Sequence, residues 1–310
     1  MDEPSAISNF ASQPTLAREL REVAIVANPY SGALENPRRV EALCSALRDQ
    51  GLEPHTVWQL DELAALAATP DFKQRYRAVV AAGGDGTLSC VINAQTKAPV
   101  AIFPLGNENL FAKCFGHSSD PLAMARLIAV GRTKTIDLGK CGDRLFSIVA
   151  SAGFDGDVVH RLAKWRRQDN QLRRVRDLSY LQPMAASVFG YRFPMLEIEA
   201  DRQKLRGALA MVFNIPRYAK RLKLVPDAIS DDGLLDWVVF EHPGIIPLAR
   251  YAVGVLLEQH FRYGDVHTGR AQQIRLNCDT PVPIEVDGEA VGFAPTDITV
   301  VPSALDVIVP

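Results

Sequence analysis

No run of apolar residues in this 310-residue chain approaches the roughly 18–20 needed to cross a bilayer, so a spanning helix is not expected. If the protein acts on lipid, it must visit the membrane from solution. Paired cysteines are missing too. The five present, Cys44, Cys90, Cys114, Cys141 and Cys278, are odd in number, widely spaced and form no C-x-x-C pair. That pattern points away from a disulfide framework and towards a reduced, cytoplasmic setting in which they pack as small hydrophobes. The six histidines, His55, His117, His160, His242, His260 and His267, show no metal-ligand spacing and read as surface or locally bonded residues, with no zinc site. Neither sign of charge dominates: 34 basic against 36 acidic residues leave a net −2, and no global pull towards nucleic acid or an anionic membrane follows. There is no internal repeat and no low-complexity tract. Met1 to Leu20 has neither the basic start nor the apolar block of a signal peptide and reads as a disordered tail over 1–20.

What remains is typical of a globular chain, with 47% hydrophobic and 23% charged residues, enough for one large domain or two ordinary ones. From Val23 to about Gly131, short apolar runs alternate with amphipathic segments, the pattern of a parallel sheet covered by helices. Val23 to Ala27 is the first strand and runs into the loop Asn28-Pro29-Tyr30-Ser31-Gly32, at a strand end where α/β folds carry function. Pro37, then Val40, Leu43, Cys44 and Leu47 at helical spacing, with Gly51 as the stop, define a helix. Asp61 to Ala68 reads as a short helix, Ala78 to Ala82 and Pro99 to Phe103 as strands. Asp120 and Pro121 open a helix with Leu122, Ala125 and Ile128 on one face and Gly131 beyond its end.

Gly83-Gly84-Asp85-Gly86-Thr87 lies between the strand ending at Ala82 and the helix-like stretch Leu88 to Gln95. A strand, a glycine turn and a helix start gather unpaired N–H groups and the positive end of a helix dipole, a good place for an anion. The glycines would let the main chain approach a phosphate and would permit positive φ where the turn requires it. A carboxylate in such a place, Asp85, needs a cation or a transferable proton beside it, and phosphoryl transfer supplies both. The plain alternative is a tight turn with Asp85 bonded locally.

Beyond Thr133 the texture becomes β-rich: Thr135 to Cys141, Arg144 to Ala150, Met195 to Ala200, Leu205 to Ile215, Trp237 to Phe240, Gln273 to Leu276, Pro283 to Val286 and Asp297 to Val300. Short strands joined by turns predict an antiparallel sandwich, with helical interruptions across Gly156 to Phe189 and Pro247 to Phe261. Arg161, Lys164, Arg166, Arg167, Arg173, Arg174 and Arg176, around Trp165, form one dense positive run, read either as a patch for anionic headgroups or as a solvated face.

Taken in order, Asn28 to Gly32, Gly83 to Thr87, Gly106 to Ala112, Asp231-Asp232-Gly233-Leu234-Leu235-Asp236 and Asp287-Gly288-Glu289 resemble the diacylglycerol kinase catalytic family, which includes bacterial lipid kinases and the sphingosine and ceramide kinases. The resemblance runs from about Val23 to Pro310. It implies a Rossmann-like α/β nucleotide domain over 21–133 and a larger β-sandwich domain over 134–310 (NAD kinase/diacylglycerol kinase-like), whose C-terminal end returns to the first domain. It also implies an active site between the two, ATP and Mg²⁺ as cofactors, and a lipid alcohol such as diacylglycerol or a sphingoid base as phosphate acceptor. Transient contact with a membrane surface and homodimer formation are left open, nucleic acid is not expected, and the location is cytoplasmic or peripheral at the membrane.

By the same resemblance Gly83, Gly84, Gly86 and Thr87 line the nucleotide phosphates, and Asn28, Ser31 and Asn109 add contacts. Asp85 orients the acceptor or holds the metal indirectly, Asp137 meets Mg²⁺, and Asp232 with the main-chain oxygens of Ile229 and Leu234 offers a second metal position of the oxygen-only kind that Mg²⁺ takes. Glu289 is the general base, ionised at neutral pH and effective if the hydroxyl lies within reach. The chain departs from the family in having Asn107 where threonine is usual and Leu110 where an acid is frequent. Asn107 is expected to cap the following helix. The alternatives are an NAD-kinase-like or other small-molecule kinase, and a catalytically inactive nucleotide- or lipid-binding regulator.

Overall fold

The computed structural model describes residues 14–17, 19–27, 36–166, 181–218 and 222–310, with the side chains at 60, 61, 166, 181 and 182 left aside. The chain divides into two compact units: unit 1 is Met1–Ile136 with Ser303–Pro310, and unit 2 is Asp137–Pro302.

Unit 1 begins with β1 (Glu22–Ala27), α1 (Asn36–Asp49), β2 (Glu53–Val57), α2 (Leu60–Ala67), α3 (Phe72–Arg75), β3 (Tyr76–Gly83) and α4 (Asp85–Asn93). It continues through β4 (Val100–Pro104), α5 (Leu110–Phe115) and α6 (Pro121–Val130). The strands are parallel in the order β2-β1-β3-β4, and Val307 near the C-terminus adds a parallel pairing to Val100. β3 is buried at all eight positions, as its near-continuous apolar sequence requires in a strand covered on both faces. Val40, Leu43, Cys44 and Leu47 of α1 are buried against that sheet, and Gly51 takes φ +75 past the helix end.

Asp120 caps α6, accepting from the N–H groups of Leu122 and Ala123, and the buried face is Met124, Ala125 and Ile128. Leu122 is 52% exposed, because it lies off the face that the spacing of 124, 125 and 128 defines. Arg77, buried at the second position of β3, donates to the carbonyls of Ile128, Ala129 and Ala17 at 2.8, 2.8 and 2.7 Å. It thus closes the C-terminal end of α6 with a cation, where the helix dipole favours one. His117 is buried as well, which corrects the surface reading. Its Nδ1 accepts the Ile102 N–H at 3.3 Å and its Nε2 bonds the Ile308 carbonyl at 2.7 Å. His260 is likewise buried, bonding the Leu224 carbonyl.

Unit 2 is antiparallel throughout. After β5 (Thr133–Cys141), which carries the chain from one unit to the next, come β6 (Arg144–Phe146), β7 (Val149–Ala152), α7 (Phe154–Arg166) and α8 (Leu181–Gly190). β8 (Leu196–Ala200), β9 (Gln203–Gly207), β10 (Leu209–Phe213), β11 (Leu235–Phe240) and α9 (Ile245–Leu256) follow. The chain closes with β12 (Val266–Ala271), β13 (Gln273–Asn277), β14 (Val282–Val286), β15 (Glu289–Ala294) and β16 (Thr296–Ile308), the last of which leads back to unit 1. One sheet has the order β12-β11-β10-β7-β14-β15. Against it pack strands paired as β9-β8-β13 and on to the first residues of β16. Between them lies a core of alternating inward residues such as Phe146, Ile198, Val212, Trp237, Ile274 and Ile284.

Two sequence expectations are corrected. The stretch Arg144 to Ala150 is two strands, because the N–H groups of Ser147, Ile148 and Val149 all turn to one carboxylate, that of Asp287. Leu205 to Ile215 is also two strands, broken where Gly207 packs against Val239 and the Phe240 carbonyl too closely for a Cβ. The helical stretch from Gly156 is α7 and α8, and residues 167–180 between them lie outside the described residues, so of the positive run only Arg161, Lys164 and Trp165 have described side chains. Arg161 is ion-paired with Asp157. No helix among the described residues is long and apolar enough to cross a membrane.

Candidate active site

In unit 1 the glycine turn has its place at the carboxyl end of β3. Gly84 is the N-cap of α4 at φ −99, with no side chain capping the helix, so the leading N–H groups and the dipole remain available to an anion. The glycines are not there for positive φ: Gly83, Gly84 and Gly86 all lie outside that region. Gly84 instead meets Gly106. A Cβ built on Gly106 would stand 2.5 Å from the Gly84 Cα and 2.9 Å from Asn109 Oδ1, so the two loops pass main chain against main chain. Asn109 closes the second loop, accepting the Gly106 N–H at 3.1 Å and donating to the Gly106 carbonyl at 2.7 Å, itself at φ +49. Thr87 is buried in the first turn of α4.

Asp85 reaches from the first loop to the second helix. Its two carboxylate oxygens accept the N–H groups of Leu110 and Phe111 at 3.0 and 3.2 Å. Burial pushes its carboxyl up from the usual carboxylate range, and those two N–H bonds oppose the rise. Asp85 therefore caps α5 from another element, and this corrects the expectation for Asn107, which lies two residues ahead of the N-cap position, Asn109. Leu110 at the departing position is buried and supplies one of the N–H groups. Asn28 and Ser31 lie outside the described residues.

In unit 2, Asp137 is buried on β5. Its N–H donates to the Ser230 carbonyl and its Oδ2 accepts the Gly233 N–H, at 2.6 and 2.7 Å, so it holds the 230–233 loop from two sides. Asp232 accepts the Leu234 N–H at 3.1 Å and meets Arg270 at 3.3 Å. Arg270 also bonds Asp236 at 3.1 Å and the Asp227 carbonyl at 2.9 Å. Burial raises the Asp236 carboxyl, and Arg270 draws it back down.

The Asp287-Gly288-Glu289 turn joins β14 to β15. Asp287 and Gly288 stand at φ +48 and +80, and the Asp287 carboxylate accepts three consecutive N–H groups, from Ser147, Ile148 and Val149, at 2.9, 3.0 and 3.0 Å. Asn214 extends the network by donating to the carbonyls of Asp137 and Ser147 at 2.9 and 3.2 Å. Glu289 emerges half-exposed and ion-paired with Arg144. Asn214, Arg144 and Arg270 were missed by sequence reasoning. Arg270 faces Asp236 only because β11 and β12 pair in that register, and β12 carried no strand signal.

A divalent ion at this loop would need oxygen donors free to face it. Oxygen donors are present at Asp137, Asp232 and the carbonyls of Ile229 and Leu234, but the Asp232 carboxylate already faces the Arg270 guanidinium. Among the described residues no group of three acidic, histidine or cysteine side chains is arranged to hold a metal ion. The Asp232 loop as folded does not fit a divalent ion, because Arg270 fills the cation's part.

Residues 22–141 match the family model of the diacylglycerol kinase catalytic domain, and residues 148–309 match that of the YegS C-terminal NAD kinase beta sandwich-like domain. A diacylglycerol kinase of Mycobacterium tuberculosis (strain H37Rv) is 29% identical across 94% of this chain and 96% of its own. One from Staphylococcus saprophyticus is 26% identical over the same shares. A Bacillus anthracis crystal structure shares the fold with a TM-score of 0.74 over 97% of both chains at 19% identity. The chain belongs to the diacylglycerol kinase family, and at that level it is a lipid kinase with the mixed α/β unit and antiparallel β-sandwich of its relatives.

Proposed function

We propose that this member of the diacylglycerol kinase family transfers the γ-phosphate of ATP to the hydroxyl of a lipid alcohol, diacylglycerol or a sphingoid-type base. The observation that carries the reading is the uncapped start of α4 behind Gly84, in a chain whose two family matches follow in kinase order. Gly83, Gly84, Gly86 and Thr87 line the nucleotide phosphates, with Asn28 and Ser31 adding hydrogen bonds. Asn109 acts by fixing the Gly106 loop against Gly84. Asp85, committed to α5, fixes the spacing of the two loops and through it the acceptor's place.

Glu289 takes the proton of the attacking hydroxyl, for which it must exchange its partner Arg144 for the substrate. Mg²⁺ bound with the nucleotide would offset charge on the phosphates, and Asp137 would be the carboxylate that holds it from this chain.

The test is turnover by the purified chain with ATP and Mg²⁺, offered diacylglycerol in mixed micelles, a sphingoid base, or NAD. Phosphorylated lipid from the first two supports the reading. Phosphorylated NAD alone would replace it with a small-molecule kinase, and ATP binding without turnover on any alcohol would replace it with a regulator.

A further inference from the structure

Behind the turn that carries Glu289 lies a second acidic pair which the reaction scheme does not use. Glu285 is 2% exposed on β14, opposite Ser151 of β7. Its Oε2 accepts the Gly288 N–H at 2.7 Å, inside the same turn. Its Oε1 is buried and meets no N–H or O–H donor among the described residues. The residue opposite it, Ser151, links it to a second acid, Asp155 at the start of α7, whose charge acts on Glu285. Asp155 is anchored in turn, its Oδ2 accepting from Ser151 Oγ at 2.9 Å and from Tyr218 Oη at 2.8 Å. Two carboxylate charges that act on each other away from water are relieved when one of them takes up a proton.

We propose that Asp155 and Glu285 share one proton and together serve as a positioning device for Glu289, Glu285 holding the Gly288 N–H while the shared proton keeps the two acids joined. This rests on the reading of Glu289 as the base. The turn needs such a clamp, because Asp287 and Gly288 both stand in the left-handed region and the Asp287 carboxylate secures only the residue before Gly288. If the proton leaves, two like charges face each other away from water, Glu285 swings off, and Gly288 loses its acceptor. Burial, reinforced by the Asp155 charge, pushes the Glu285 carboxyl well up, so the pair keeps its proton at pH values where free carboxylates have lost theirs.

The other titratable groups around it have partners of their own. On α7, Asp157 pairs with Arg161 and His160 bonds the Ile284 carbonyl. Asp287 is held by three N–H groups, Glu289 is ion-paired with Arg144, and Cys141 of β5 feels the Glu285 charge. A base acting alone gives activity that rises with pH and then levels. The pair adds a fall on the alkaline side.

The experiment measures kcat and KM for ATP against pH, with diacylglycerol in mixed micelles as acceptor, for the full chain and its Glu285→Gln, Glu285→Ala and Glu289→Gln variants. Glu285→Ala is expected to lose about tenfold to a hundredfold in kcat with KM for ATP unchanged. Glu285→Gln keeps an oxygen for Gly288 and donates permanently to Asp155, so it restores kcat to within about threefold and abolishes the alkaline fall. Infrared spectroscopy, which needs no substrate, should show a buried protonated carboxyl band at neutral pH that Glu285→Gln removes. Wild-type kcat in Glu285→Ala, an alkaline fall unchanged in Glu285→Gln, or no such band in the parent would each overturn the proposal. If Glu285→Ala does not fold, the band and the Glu285→Gln profile still decide. Full activity in Glu289→Gln with the band intact would instead remove the base reading and leave the shared proton standing.

Discussion

Around Gly84 and Gly106 in unit 1, two loops are fixed by having no side chains where they touch, whereas around Gly288 in unit 2 a turn is fixed by carboxylates that gather main-chain N–H groups from a strand 140 residues away. The first arrangement tolerates nothing added at the contact. The second tolerates nothing removed. The unit 1 loops can thus be damaged by one added methyl group, and the unit 2 turn by one lost oxygen.

The largest contrast is expected at Glu289. Glu289→Gln keeps size and hydrogen bonding but cannot take a proton, so phosphate transfer should fall by about a hundredfold to ten-thousandfold while thermal unfolding stays where it was. Measuring both on one preparation separates chemistry from fold, and unchanged turnover would end its role as base.

Next comes the glycine contact. Gly106→Ala places a Cβ 2.5 Å from the Gly84 Cα, main chain that cannot yield, and should cost about 1–3 kcal/mol in denaturant unfolding. Gly84→Ala, with its nearest atom at 3.3 Å, should cost less, and the reverse order would refute the packing account. Asp85→Ala leaves the Leu110 and Phe111 N–H groups without their acceptor and should cost about 2 kcal/mol, with Asp85→Asn losing less because one oxygen remains. Equal stability of both variants with the parent would show that α5 is capped by other means.

The last effect is confined to acid pH. Burial holds the His117 imidazole down at about 4, against 6.5 when free, so the unfolded chain takes up a proton over that interval and the folded one does not. Unit 1 should therefore lose stability as pH falls from 6.5 to 4, by roughly 3 kcal/mol, with no contribution from this residue above that window. Melting curves of His117→Gln should show a shallower acid slope, and an identical slope would assign the loss elsewhere.

The parts of this molecule that could be read from its sequence are those built from neighbours along the chain. The strand into Gly83, the helix after it, the Asp120 cap and the apolar face of α1 all depend on spacings within a dozen residues. The glycine turn was legible as a place, though its glycines serve packing rather than positive φ. What stayed hidden depends on register between distant strands: Asn214 bridging Asp137 and Ser147, Arg270 facing Asp232, Asp287 splitting the stretch that begins at Arg144. An arginine on an unrecognised strand such as β12 carries no local sign of which acid it will meet. The shared acids Asp155 and Glu285 are the extreme case, one on a helix and one on a strand.

The last eight residues, Ser303–Pro310, belong to unit 1, where Val307 lies beside Val100 and the Val309 N–H reaches the Arg132 carbonyl. A polypeptide emerging from the ribosome therefore makes almost all of its first unit early and must hold it unfinished, with β4 uncovered on one side, until everything of unit 2 has been translated. Quality control by proteases would act on that waiting form, and a stop codon at Ser303 would leave unit 1 unfinished while unit 2 is whole.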